Sequence, residues 1–370
     1  MKRWLLGVAL CGLGAVSQAQ SVFQARPTDD IWVYANASDP AFDPVLRIWG
    51  FAGLAVAPSY PPGGEWSYGY LKWDVSAIPV PGPGQSYQVL EAVLTLTSQR
   101  ATNYTLADTR EHPLEARPLE PRFHELDWLF SNPNNPAPGD PRFGTGDFSR
   151  YSTTTTFPVP IDLLAGPGDF AAHFNQAVAG TRELGLALTS SMPAALLGGK
   201  FYRIFSRDDP GGRGPVLRVV YQMVCEVSGV VLLEGAQDQR QTVTLEFRPQ
   251  DGSPAFQRQV PLDAAGRFLV GNVPVRAYTV GIKGDRWLRR TVRVDATPAP
   301  VPPVMVTLLA GDANNDNVVD VLDLDLLIQA FDTDASSNQW IPGADLNADG
   351  SVDVLDLDLL IRNFDQAGDA

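Results

Sequence analysis

Two stretches near the C-terminal end of the 370-residue chain carry residues whose types and spacing could do chemistry. Residues 311–332 (GDANNDNVVDVLDLDLLIQAFD) and 344–365 (ADLNADGSVDVLDLDLLIRNFD) align without gaps at a spacing of 33, with 15 of 22 positions identical. Each opens with D-x-N-x-D and then supplies Asp at loop positions 9 and 12. Calcium is a hard ion that takes about six to eight oxygen ligands, and loop positions 1, 3, 5, 7, 9 and 12 bring oxygens around one point. In the first loop these are Asp312, Asn314, Asp316, the Val318 carbonyl, Asp320 and Asp323. In the second they are Asp345, Asn347, Asp349, the Ser351 carbonyl, Asp353 and Asp356. Two bound Ca2+ ions are the expected cofactors. The turn at position 6 needs a positive φ, which Gly350 adopts freely and Asn317 tolerates.

The charge of the chain is concentrated in this segment. The whole sequence has 42 acidic and 28 basic residues, a formal net charge of -14. From Gly311 to Ala370 there are fourteen Asp, no Glu and one basic residue, Arg362, so this stretch carries -13 and the remainder -1. Such a chain is poorly suited to nucleic acid or anionic membranes. Eight of the fourteen Asp are among the expected ligands, so bound ions would relieve much of the local repulsion.

A helical stretch follows each loop. At 100° per residue, Val321, Leu324, Leu327, Ile328 and Phe331 fall on one arc, repeated by Val354, Leu357, Leu360, Ile361 and Phe364, and this arc is the expected core. Leu322 and Leu326, repeated by Leu355 and Leu359, fall elsewhere and are expected to form an exposed, duplicated partner surface. No amphipathic helix precedes either loop, and position 12 is Asp, where an ordinary EF-hand has Glu. The duplicated loop-then-helix unit resembles a type I dockerin over residues 311–366. That resemblance implies a cohesin-like domain on a scaffold or cell surface as partner. The alternative is a purely structural calcium clamp, because a helix pair this small needs metal to fold.

The N-terminus, MKRWLLGVALCGLGAVSQAQ, reads as a secretory signal at 1–19, with two basic residues, a short apolar run and Ser17-Gln18-Ala19 before cleavage. A lipoprotein signal at Cys11 is disfavoured by Leu10. No later stretch reaches the ~18 apolar residues of a transmembrane span. The expected location is secreted, either extracellular or attached to a cell surface. Cleavage leaves Cys225 alone, so stability must come from cores or metal.

Between signal and loops the chain reads as β. Residues 20–221 show alternation at 70–75, 92–97, 183–188 and 216–221, broken by turns such as Pro61-Pro62-Gly63-Gly64. The strings YLKWDVSAIPV, VLEAVLTLTS, FHELDWLFSNPNNPAPGD, ELGLALTS and FYRIFSRDDPGGRGPVLRVVY resemble DNRLRE-type modules, with Phe123 where that family usually has Trp. The resemblance implies a jelly-roll β-sandwich and contact with a polysaccharide. Trp66 and Tyr68 are the candidate aromatic platform, whereas Trp73 alternates with Leu71 and Val75 as an inward face.

Residues 222–309 alternate again at 241–248 and 277–282. SGVVLLEG and VPLDAAGRFLVGNVPVRAYTVGIKG resemble carboxypeptidase-regulatory-like Ig-type modules, with Arg276 where Gly is common. Lys283, Arg286, Arg289, Arg290 and Arg293 surround Trp287. They read either as charges protecting an edge strand or as a surface docking on the acidic tail. Thr297 to Pro303 reads as a stiff link.

The expected fold class is therefore mainly β and multidomain: a jelly roll at 20–221, an Ig-like β-sandwich at 222–309 and a small α-helical calcium-binding dockerin at 310–370. The three histidines, His112, His124 and His173, show no metal-ligand spacing. The favoured function is a non-catalytic modular protein that attaches through its dockerin. The alternative is a polysaccharide lyase or hydrolase with its site in residues 20–221, for instance around Tyr104 and His112.

Overall fold

The computed structural model describes residues 20–34, 37–38, 43–50, 66–126, 135–193 and 199–370. The expected signal at 1–19, the turn at 61–64 and Trp128 lie outside the described residues. The described chain forms two compact units, one of Gln20–Gly82 and Ser86–Met223 and one of Val224–Ala370 together with Pro83–Gln85.

The first unit is a β-sandwich. One sheet has the spatial order Ala37–Ser38, Asp29–Tyr34, Ser67–Asp74, Glu183–Thr189, Glu115–Leu119, Gly144–Thr145. The other contains Ser21–Ala25, the start of Val216–Leu233, Gln85–Ser98, Tyr202–Phe205 and Val45–Ile48, with Phe157–Asp162 also paired to Gln85–Ser98. Alternate side chains from both sheets meet in one core, where Leu71, Trp73, Leu94, Leu96 and Tyr202 are fully buried. Trp73 faces inward, as its alternation predicts. Tyr68 and Tyr70 point the opposite way into a smaller cluster with Ile31, Val33, Leu119 and Phe123. Of the unit's two helices, α1 (Leu106–Glu111) is held by a capping box on Thr105 and Asp108. Helix α2 (Phe170–Ala179) is capped by Asp169, which accepts from the Ala172 amide at 2.8 Å, and buries Phe170 and Phe174.

One charged cluster is built into this unit. Carboxylate oxygens of Asp30, Glu125 and Asp208 all lie within 4.8 Å of one another. Arg207 lies among them, its amide donating to Asp30 Oδ2 at 2.7 Å and its guanidinium to Glu125 Oε1. Burial, followed by the nearby Asp208 carboxylate, pushes the Asp30 carboxyl up to about 7, against the opposing Arg207 amide bond.

The second unit joins two sequence segments. Its four-stranded sheet runs Phe256–Pro261, Thr242–Pro249, Ala277–Gly284, Trp287–Asp295. The facing layer is the later part of Val216–Leu233, paired antiparallel with Arg267–Pro274 and parallel with Val304–Leu308. Val243, Leu245 and Phe247 turn their shared face into this core, as their alternation predicts. Helices α3 (Val321–Gln329) and α4 (Val354–Arg362) follow. The core does not stop at residue 310: Val231, Tyr278 and Trp287 belong to one apolar cluster with Leu327, Ala330, Leu346, Val352 and Leu360.

Polar contacts seal the same junction. Glu234 accepts the Trp287 indole N–H at 2.9 Å through its carbonyl. Its Oε2 accepts from the Ala310 amide at 3.1 Å and the Asn363 side chain at 2.5 Å. Gly235 has φ of 74°, and a Cβ there would lie 2.4 Å from Leu359 Cδ1. A side chain at 235 would be strained and would displace Leu359.

Two outcomes are expected. Leu359→Ala should destabilise the whole Val224–Ala370 unit by about 2–5 kcal/mol, the cost of a large-to-small core change. Calorimetry should then show sheet and helices melting together at a lower temperature. For Asp30, the folded carboxyl titrates above its unfolded value, so its favourable contribution is present at low pH and is lost as pH rises through about 7. Asp30→Asn should therefore raise the melting temperature more at pH 8 than at pH 5, and equal gains at both would contradict this.

Candidate metal and partner-binding site

The two loops fold alike because each is wired by its own aspartates. In the first, Asp312 Oδ1 accepts the Asp316 amide at 2.9 Å and Oδ2 the Asn317 amide at 3.0 Å. Asp323 Oδ1 accepts the Asn314 amide at 3.0 Å and Oδ2 the Asp320 amide at 2.8 Å. The second loop repeats this pattern. Asp345 accepts from Asp349 at 3.1 Å and Gly350 at 3.2 Å, and Asp356 accepts from Asn347 at 3.1 Å and Asp353 at 2.8 Å. Asn317 and Gly350 take the positive φ expected at position 6, 74° and 92°. Position 4 also does so, at Asn315 and Ala348 with φ of 62° and 55°, which the sequence reading missed.

The ninth and twelfth positions do a second job. Asp320 and Asp353 are the N-caps of α3 and α4, accepting from Leu322 and Leu355 amides at 2.7 Å, and each forms a capping box with Asp323 or Asp356. Loop and helix are therefore one rigid piece. Each loop is closed by the segment after the other repeat's helix: the Asp332 amide donates to the Val352 carbonyl and the Asp365 amide to the Val319 carbonyl, both at 2.9 Å. These pairs are related by the 33-residue repeat.

The donor set suits a hard divalent ion. All side-chain donors are oxygens, and Asp312, Asp323, Asp345 and Asp356 are buried. Burial pushes the Asp323, Asp345 and Asp356 carboxyls up, and neighbouring carboxylates push the same way: Asp312 and Asp316 on Asp323, Asp349 on Asp345, Asp345 on Asp356. An ion at the centre of each loop would favour the ionised forms. Asp316, Asp320, Asp349 and Asp353, with Asn314 and Asn347, would complete the side-chain oxygens around such an ion, and the carbonyls of Val318 and Ser351 stand at position 7.

The basic residues near Trp287 meet this segment. Lys283 pairs with Asp312 at 2.7 Å, Arg286 with Asp345 at 3.4 Å and Arg290 with Asp369 at 3.6 Å. Lys283, Arg286 and Arg290 thus meet the acidic tail, whereas Arg289 pairs with Glu246 at 2.5 Å and the strand Trp287–Asp295 is also the edge of its sheet, so each of the two readings holds in part.

The helix faces differ from expectation. Val321, Ile328 and Phe331, and their repeats Val354, Ile361 and Phe364, were placed in the core arc, yet all six are exposed. The buried set is Asp323, Leu327 and Ala330 in and after α3, and Asp356, Leu359, Leu360 and Asn363 in and after α4. The cause is position 12. Asp323 and Asp356 must turn into their loops, and residues one and two turns later follow them inward. Leu322 and Leu355 are exposed at 57% and 51%, as expected, but Leu326 is half-buried and Leu359 is only 6% exposed, covering Gly235. The exposed apolar face is thus Val321, Leu322, Ile328 and Phe331, and again Val354, Leu355, Ile361 and Phe364.

In the first unit, Tyr104 and His112 both adjoin Tyr202, whose ring lies 4.9 Å from that of Tyr104 and whose hydroxyl donates to the His112 carbonyl at 2.7 Å. Tyr68 is buried, with the Trp66 ring stacked on it at 4.5 Å between centroids, so the pair does not offer two open ring faces. Tyr104 is buried, its hydroxyl 3.1 Å from Ser98 Oγ. His112 Nδ1 lies 3.1 Å from Ser191 Oγ, His124 lies 3.5 Å from Asp29, and His173 Nε2 lies 2.8 Å from the Gly185 carbonyl. Burial holds the His173 ring below the usual imidazole range.

Comparison with known proteins places the second unit's end. Residues 310–365 match the dockerin type I domain family. No curated protein matches the chain. Similar solved structures include an N-terminal interface mutant of the type II cohesin–X-dockerin complex from Acetivibrio cellulolyticus, at 21% identity and TM-score 0.32, covering 39% of this chain and 97% of that chain. A C-terminal interface mutant of that complex has 18% identity, TM-score 0.32 and the same coverage. The Bacillus cereus major pilin subunit BcpA has 9% identity and TM-score 0.19, covering 77% of this chain and 70% of that chain. Type I dockerin domains bind calcium in general. Among the described residues, no helix is long and apolar enough to cross a membrane. The chain is a mainly β, multidomain protein whose residues 310–365 are a type I dockerin domain.

Proposed function

We propose that the chain is a secreted, non-catalytic modular protein that binds two calcium ions and attaches through its dockerin to a cohesin domain on a scaffold or cell surface. The observation that carries this reading is the duplicated apolar face. Exposed Val, Leu and Ile recur at matching positions of α3 and α4, and an exposed Phe follows each helix, although a folded helix pair with a large apolar cluster beneath it gains nothing by leaving them in water. The loops support the calcium part, since each carries four aspartates at calcium-loop spacing and two of the four are buried. A structural clamp alone would not need the exposed face to be repeated. The polysaccharide contact expected of the first unit rests on resemblance alone, and attachment belongs to the second unit.

Because the face is repeated, a cohesin could seat on either helix in orientations related by the repeat. Calcium should be required in both cases, because it holds each loop to the helix that begins within it. The test is capture of the full chain by a cohesin-bearing scaffold protein, with calcium and with chelator. Capture should vanish in chelator. Leu322→Ser or Leu355→Ser alone should weaken it only slightly, roughly twofold, and the double variant at least about tenfold, since each apolar side chain buried in an interface contributes on the order of 1–3 kcal/mol. Unchanged capture by the double variant, or capture that ignores calcium, would contradict the reading.

A further inference from the structure

The hairpin of strands Ala277–Gly284 and Trp287–Asp295 carries two cations three residues apart, Lys283 near the end of the first strand and Arg286 in the turn. They end on equivalent residues of the two loops. Lys283 Nζ donates to Asp312 Oδ2 at 2.7 Å and to Asn315 Oδ1 at 2.6 Å, and is fixed from behind by the Gly284 carbonyl at 2.7 Å. Arg286 Nη1 lies 3.4 Å from Asp345 Oδ2 and donates to the Asp345 backbone carbonyl. Asp312 and Asp345 are both position 1 of their loops. In each, Oδ1 accepts the amide of position 5, while Oδ2 accepts the amide of position 6 and is the oxygen the cation approaches. The loops owe their likeness to sequence duplication, but the hairpin lies outside the duplicated segment. It nonetheless brings a cation to the first aspartate of each, through a hydrogen bond to the carboxylate at Asp312 and through an ion pair together with a bond to the backbone carbonyl at Asp345.

We propose that Lys283 and Arg286 are positioning residues for the calcium loops, one each, so that the β-sandwich is part of the ion-binding apparatus. A donor on the far oxygen of a metal-ligating carboxylate fixes that carboxylate's orientation, and such outer partners typically govern metal affinity by about 10–100-fold. The opposing effect, repulsion between a fixed cation and the ion, is the smaller one here. Each loop brings four aspartates, so an ion of charge +2 and one side-chain cation still leave a net -1. The two cations also offset repulsion among those aspartates before an ion arrives. Lys283 and Arg286 are mostly shielded, with side chains 21% and 17% exposed, so solvent screens these contacts less than it would on an open surface.

This inference rests on the calcium reading above, and one experiment separates the two. Calcium is titrated calorimetrically into the full chain and into variants in which one loop is disabled at its exposed position 5 by Asp349→Ala or Asp316→Ala. Lys283→Met should weaken the first loop, measured in the Asp349→Ala background, by about 10–100-fold. In the Asp316→Ala background it should leave the second loop unchanged. Arg286→Met should do the converse, and Lys283→Arg should restore most of the first loop's affinity. General loosening of the fold would weaken both loops together, and that outcome, like tighter binding or no change, overturns the proposal. If Lys283→Met fails to fold by circular dichroism, Lys283→Ala, which also removes the donor, is judged by the same criterion. No calcium uptake by the unaltered chain would overturn the calcium reading itself.

Discussion

The second unit depends on two buried carboxylates, Asp323 and Asp356. Each is the last side-chain donor of its loop, the third residue of the helix that follows and the partner in that helix's capping box. An aspartate that must reach into a loop leaves its helix no freedom to rotate. Leu327 and Ala330 are thereby turned inward, as are Leu359, Leu360 and Asn363, while Val321, Leu322 and Ile328 and their repeats are turned to solvent. The buried helix faces and the exposed apolar face are consequences of one constraint applied twice.

The same constraint explains why the helices are joined to the β-sandwich. With Asp356 inward, Leu359 and Asn363 face Gly235, Glu234 and Ala310, and the apolar cluster continues from Val231 to Leu360. On the other side, Lys283 and Arg286 meet the first aspartate of each loop. The chain has one buried cysteine, Cys225, among its described residues and no partner for it. A helix pair of this size has little core of its own, and the shared cluster supplies what a disulfide does in small disulfide-bonded domains.

Much of this was legible in the sequence. The loops were readable because calcium chemistry demands specific oxygens at fixed spacing, and the duplication checks itself. Strands such as Thr242–Pro249 were readable from period-2 alternation, and Trp73 was assigned inward on the same ground. The helix face was not. Val321, Ile328 and Phe331 outrank Asp323 on any hydropathy scale, so an arc chosen by apolarity points the wrong way when a buried ligand sets the rotation. The junction also left little trace: Gly235 is an ordinary turn glycine until Leu359 is seen above it. The cations of the Trp287 strand carried a signal in their charge, but their targets are residues apart in sequence and could be matched only in space.

On the proposed reading, paired loops, each completed by an inward aspartate, bind calcium and so fix a duplicated apolar face. The decisive measurement is anomalous diffraction from crystals of the full chain grown with calcium. Two peaks are predicted, one in contact with Asp312 and Asp323 and one with Asp345 and Asp356, with Leu322 and Leu355 at the protein surface. A loop without its peak, or helices rotated so that Val321 and Val354 pack inside, would contradict it.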